Sequence, residues 1–92
     1  MAKEIERFSL ARLKSIEKLT SSPHSSGSRK EYIGHRGEIY IMESEHKNPG
    51  SRYLYFTNHV DIRFSTGFGS YTVEKGSLTM KTHHSVYVFE LL

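Results

Sequence analysis

The stretch Ser9-Leu-Ala-Arg-Leu-Lys-Ser-Ile-Glu-Lys-Leu-Thr20 decides the fold class, because everything after residue 37 already reads as strands. Ile5, Phe8, Ile16 and Leu19 share one face at helical spacing, with Ala11 and Leu13 flanking it. Arg12 falls in the middle of that stripe and spoils a single long helix. A shorter helix from about Ser9 accommodates it. Ser9 then serves as N-cap, and Phe8 packs on Leu13 as a hydrophobic staple. Residues 3–8 become a lead-in with room to be extended. The spacing therefore predicts a helical segment over residues 1–20.

Outward from this stretch the chain divides into two further parts. Thr20-Ser-Ser-Pro-His-Ser-Ser-Gly-Ser28 has no periodicity, and Pro23 and Gly27 among serines make 21–36 a flexible loop. From Gly37 the period changes to two. Strands are expected over 38–45, 52–57, 60–64, 71–74, 77–82 and 85–91. Asn48-Pro-Gly50 makes a turn between the first two, and Lys75-Gly76 a hairpin turn. The expected fold is α+β: one domain of 92 residues, with one N-terminal helix packed on a five- to six-stranded antiparallel meander.

Composition narrows the function classes. The chain has no Cys and no Trp, so neither a disulfide framework nor a cysteine-ligated zinc site is available. It contains no apolar run near the ~20 residues of a membrane-spanning helix, and the expectation is a cytoplasmic protein without membrane or cofactor. Net charge is +3 and arranged in blocks, basic up to residue 37 and acidic at Glu38, Glu43 and Glu45. Such a balance permits nucleic acid or an acidic protein as partner and demands neither.

Ser65-Thr-Gly-Phe-Gly-Ser-Tyr-Thr-Val73 resembles the base-stacking strand of RNA-recognition modules, and Ile39-Tyr-Ile-Met42 the companion strand. Those modules need a helix between the two strands and another after the second, and neither pattern is present. Thr66 also stands where a basic residue belongs, and Ser70 where an aromatic one does. Cold-shock barrels carry related strands in the opposite chain order. What survives is a generic aromatic and basic surface: Arg52, Tyr53, Tyr55 and Arg63, joined by Arg29, Lys30, Arg36, Phe68 and Tyr71 as candidate binding residues. Against it stands an ordinary half-buried sheet, in which Leu54, Phe56 and Ile62 fill the core and the tyrosines make cross-strand pairs.

Catalytic constellations are sparse. The six histidines, at 24, 35, 46, 59, 83 and 84, lack chelate spacing on a helix or a strand. A metal-free ribonuclease site would need Glu43 or His59 as base, His83 or His84 as acid and Arg52 or Arg63 as phosphate clamp. The run Arg52-Tyr-Leu-Tyr55 is loosely similar to a strand of small microbial ribonucleases. No nucleophile elbow, phosphate loop or carboxylate pair accompanies it.

The ending, Thr82 to Leu91 with its Ser-Val-Tyr-Val-Phe-Glu-Leu strand, resembles the endings of small phage or mobile-element accessory proteins. That resemblance implies a compact inhibitor or adaptor, in a host cytoplasm, that binds a host or defence protein or a ribonucleoprotein. The expected function is thus non-enzymatic binding, with nucleic-acid binding as the alternative and a ribonuclease-like enzyme third. The apolar strand ending in Leu91-Leu92 would also give a homodimer if it lay at a sheet edge.

Overall fold

The computed structural model describes residues 2–18, 32–45 and 50–92. Among the described residues there are seven strands: β1 (Ala2–Lys18), β2 (Arg36–Ser44), β3 (Arg52–Thr57), β4 (Arg63–Ser65), β5 (Gly69–Glu74), β6 (Ser77–Thr82) and β7 (Ser85–Leu91). All pairings are antiparallel, in the order β2-β1-β7-β6-β5-β3-β4, and a further β2–β3 pairing closes the ring. Six strands form the closed barrel, with β4 as an additional short strand beside β3.

Among the described residues the expected N-terminal helix is absent. Residues 9–18 belong to the 17-residue strand β1, whose first part pairs with β2 and whose second part pairs with β7. The fold is therefore nearly all β rather than α+β, and Ser9 caps nothing. The reason lies in the register. β1 carries one residue more than its partner between Glu4 and Glu6, between Phe8 and Ala11, and between Leu13 and Ser15. Each extra residue turns a two-residue step into a three-residue step. The core-facing positions Phe8, Ala11, Leu13 and Ile16 consequently follow steps of three, two and three, which imitate a helical stripe. Arg12 was the discordant residue. It points outward between two buried neighbours and forms an ion pair with Glu90 on β7.

The other strands lie close to the expected positions. The predicted strand over 60–64 shortens to Arg63–Ser65, because Asn58 organises the preceding residues into a tight loop. Its side-chain oxygen accepts the amides of Val60, Asp61 and Ile62 at 2.9, 3.0 and 2.9 Å. His59 takes φ +63° there, and Val60 is 88% exposed while Ile62 still reaches the core. Lys75 and Gly76, at φ +49° and +77°, form the two-residue turn expected of them. Of the expected loop 21–36, residues 21–31 lie outside the described residues, as does most of the Asn48-Pro-Gly50 turn. Tyr32 stacks on Phe64, and Arg36 opens β2.

The barrel is filled from within. Leu13, Ile39, Ile41, Leu54, Leu78 and Met80 are fully buried, around aromatic contacts of Phe56 with Phe64 and Phe89. No large ring on the outside is needed to complete this core. β7 pairs on both sides, with β1 and β6, so the expected dimer edge at Leu91 does not exist. No helix among the described residues is long and apolar enough to cross a membrane.

Candidate functional site

Alternation along β2 and β3 sends Ile39, Ile41, Leu54 and Phe56 inward and leaves Tyr40, Met42, Tyr53 and Tyr55 outside. The register sets Tyr40 opposite Tyr55 and Met42 opposite Tyr53. Tyr40 and Tyr55 rings lie 6.0 Å apart, and Phe68 meets Tyr53 edge-on at 6.0 Å. Arg7 of β1 sits over the Tyr40 ring at 6.0 Å, a cation–π distance. One outer face thus carries four rings and a methionine across three adjacent elements.

Phe68 owes its place to an interruption between β4 and β5. Thr66 turns its side chain inward, and its hydroxyl accepts the Leu54 amide at 3.0 Å while donating to the Gly67 carbonyl at 2.9 Å. Its own amide donates to the Leu54 carbonyl at 2.8 Å. A side-chain oxygen thereby stands in for a ladder carbonyl, and the main chain is free to arch over 66–68. Gly69 then brings β5 against β6 so closely that a Cβ there would lie 2.0 Å from the Lys81 carbonyl oxygen. Phe68 remains 40% exposed at the crest of the arch. Between it and Tyr53 runs a groove of about 370 Å³ floored by Ser65, Thr66 and Gly67. A second hollow of about 260 Å³ follows along the same strands, between Tyr55, His59, Asp61 and Arg63.

His59 and Glu38 edge this face. Nε2 of His59 lies 2.5 Å from Glu38 Oε1, and the Tyr40 hydroxyl donates to Oε2 at 3.2 Å. The His59 hydrogen bond is the main influence holding the Glu38 carboxyl below its ordinary value. Burial opposes it, and Tyr40 and the charges of His59 and Arg7 assist. The charges around the rings are Arg7, Arg36 and Arg63 against Glu38 and Asp61, so the face carries a single cation in excess.

The sequence-derived candidates separate into groups. Tyr53, Tyr55 and Phe68 lie on the outer aromatic face, with Arg63 at its rim. Arg52, expected beside the tyrosines, points the other way into the barrel mouth, where it approaches Glu43 at 3.6 Å. Tyr71 is also in the mouth: its hydroxyl donates to Glu6 at 2.6 Å, joining β5 to β1. That hydrogen bond, then burial and the Glu6 charge, push the Tyr71 hydroxyl above its ordinary value, with Arg52 pulling against them. Arg36 is exposed near Leu10 and His59, on a neighbouring hollow. Arg29 and Lys30 lie outside the described residues. Tyr40, Met42 and Arg7 were missed by sequence reasoning, although the alternation around Ile39 and Ile41 already turned Tyr40 and Met42 outward.

Of the groups considered for ribonuclease chemistry, Glu43 meets Arg52 and Lys3 at the mouth, and His59 engages Glu38 outside, beside the hollow it shares with Arg63. His83 and His84 meet edge-on in the β6–β7 turn with rings 4.6 Å apart. Among the described residues no group of three or more His, Asp or Glu is placed to hold a metal ion. No family model, curated protein or solved structure matches the chain.

Proposed function

We propose that this chain is a small non-enzymatic binding protein that engages a partner protein through the outer face of β2, β3 and the 66–68 arch. The observation that carries this reading is the position of Tyr40, Tyr53, Tyr55 and Phe68 outside a barrel already filled by other residues. Aromatic rings with Met and Arg are the types enriched where protein partners bind tightly, and clefts such as that between Tyr53 and Phe68 take anchoring side chains. Arg7, Arg36 and Arg63 against Glu38 and Asp61 leave only one cation in excess, which favours a protein over a polyanion, since binding to phosphates draws on many cations at once. Taken with the resemblance of the closing strand to phage and mobile-element accessory proteins, the partner is a host or defence component.

Affinity capture from the native host, after nuclease treatment, tests the proposal. Tyr55→Ala and Phe68→Ala should each weaken capture at least about tenfold, the scale of a hot-spot truncation, while thermal unfolding changes little. Capture that survives both substitutions, with unfolding temperatures lowered, would make the rings structural and sink the reading. A salt titration against mixed DNA and RNA covers the alternative. Steeply salt-dependent binding lost with Arg7→Ala and Arg63→Ala would replace the protein partner by nucleic acid.

A further inference from the structure

β5 is paired along its whole length on one side only. Its pairing with β6 runs from Gly69↔Thr82 to Glu74↔Ser77, whereas on the other side Gly69 alone meets Arg52 of β3. In a two-residue hairpin the residues flanking the turn form a hydrogen-bonded pair. Glu74, Thr72 and Ser70 therefore direct their backbone groups at β6, and Tyr71 and Val73 direct theirs away from it. Among the described residues nothing pairs with those outward groups. Val73 is also 46% exposed.

This edge lacks the features that keep edge strands apart. Residues 70–74 contain no Pro, no Lys and no register shift. The first part of β1, open along the side away from β2, is different: it carries Lys3, Glu4, Glu6 and Arg7 and two register shifts. One open edge is guarded by charge and bulges, and the other is plain.

We infer that the β5 edge pairs with β5 of a second copy of this chain, antiparallel about a two-fold axis through Thr72. That register alone uses the outward groups of both Tyr71 and Val73 and leaves Gly69 to β3. It forms two hydrogen-bonded pairs, Tyr71 with Val73 of the second copy and the reverse. Thr72 meets its own counterpart, and Ser70 meets Glu74. Aromatic with β-branched and Thr with Thr are favourable cross-strand pairs, and no like charges oppose each other. The strand is thus complementary to itself, which an arbitrary peptide would not match.

The register is testable because the chain has no cysteine. Residues opposite each other at a non-hydrogen-bonded position have Cα atoms about 4.5 Å apart, within disulfide reach. Under mild oxidation Thr72→Cys should cross-link into a species of twice the 10.6 kDa chain mass, and Ser70→Cys should not. Sedimentation equilibrium across a concentration series should give a dimer for the parent chain and a monomer for Val73→Pro. That proline removes an outward amide without touching the β5–β6 ladder, and circular dichroism checks that the barrel persists. A parent chain monomeric throughout the series would overturn the inference. So would equal cross-linking at 70 and 72, or a dimer lost in Phe68→Ala but retained in Val73→Pro.

Discussion

Replacing Thr66 by Val removes one oxygen and almost nothing else, and it tests how the barrel wall closes where its ladder is broken. The Thr66 hydroxyl is the acceptor for the buried Leu54 amide and also holds the Gly67 carbonyl. Without it the Leu54 amide has no partner in a region sealed from water. An orphaned buried donor costs about 1–3 kcal/mol. Unfolding entropy near ~2.1 cal/mol/K per residue makes that a fall of about 5–15 °C in Tm for a chain of 92 residues. Thr66→Ser keeps both hydrogen bonds and loses one methyl, worth about 0.8 kcal/mol, so it should unfold above Thr66→Val. Amide hydrogen exchange gives a local readout: Leu54 should exchange faster in Thr66→Val than in Thr66→Ser. A Thr66→Val protein as stable as the parent, with Leu54 still protected, would refute the assignment of that bond. Partner capture should also weaken, because the same hydroxyl fixes the chain that carries Phe68.

Further outcomes follow from single features. In a spectrophotometric alkaline titration one of the six tyrosines should ionise above the ordinary value of 10.0 and return towards it in Glu6→Gln. Because the folded value is raised, Tyr71 lends stability below pH 10.0 that disappears as pH rises through the folded value, and Tyr71→Phe should remove that alkaline loss. NMR titration should find the Glu38 carboxyl below 4.5 and rising towards it in His59→Asn; its stabilising effect is present above the ordinary value and lost as pH falls through the folded one. Lys75→Asn should raise the unfolding temperature slightly, by about 0.5–1 kcal/mol equivalent, since Asn accepts the positive φ that Lys holds at +49°. Phe56→Ala, at the junction of the core rings, should cost about 3–5 kcal/mol in chemical denaturation.

Much of the β architecture was legible, because an antiparallel barrel writes its alternation directly into β2, β3, β6 and β7. Ile39, Ile41, Leu54 and Phe56 were readable as core, and Lys75-Gly76 as a turn, from side-chain period and backbone tolerance alone. β1 was not legible. Apolar steps of three, two and three belong equally to a helix and to a strand with repeated bulges, and only the ladder to β2 and β7 separates them. Arg12 between Ala11 and Leu13 carried the one local clue to a period of two. The candidate face was half legible: Tyr53, Tyr55 and Phe68 stood out by composition. Tyr40 did not, because its role depends on facing Tyr55 across the register. Arg52 was grouped with the tyrosines by adjacency in sequence, although one step along a strand reverses the direction of a side chain.

Closure of the ring between β1 and β7 also fixes an order of events. Leu13 and Ile16 face Phe89 and Tyr87 across that seam, and those partners are synthesised some seventy residues later. At ~5–20 residues per second the wait is about 4–15 s. During it, β1 and β2 present the inner sides of an unfinished wall to whatever else is in solution. The seam is among the most sequence-distant contacts in the chain, the kind that slows folding most. Destabilising substitutions along it should therefore reduce soluble yield on expression more than equal losses placed in the β5–β6 hairpin.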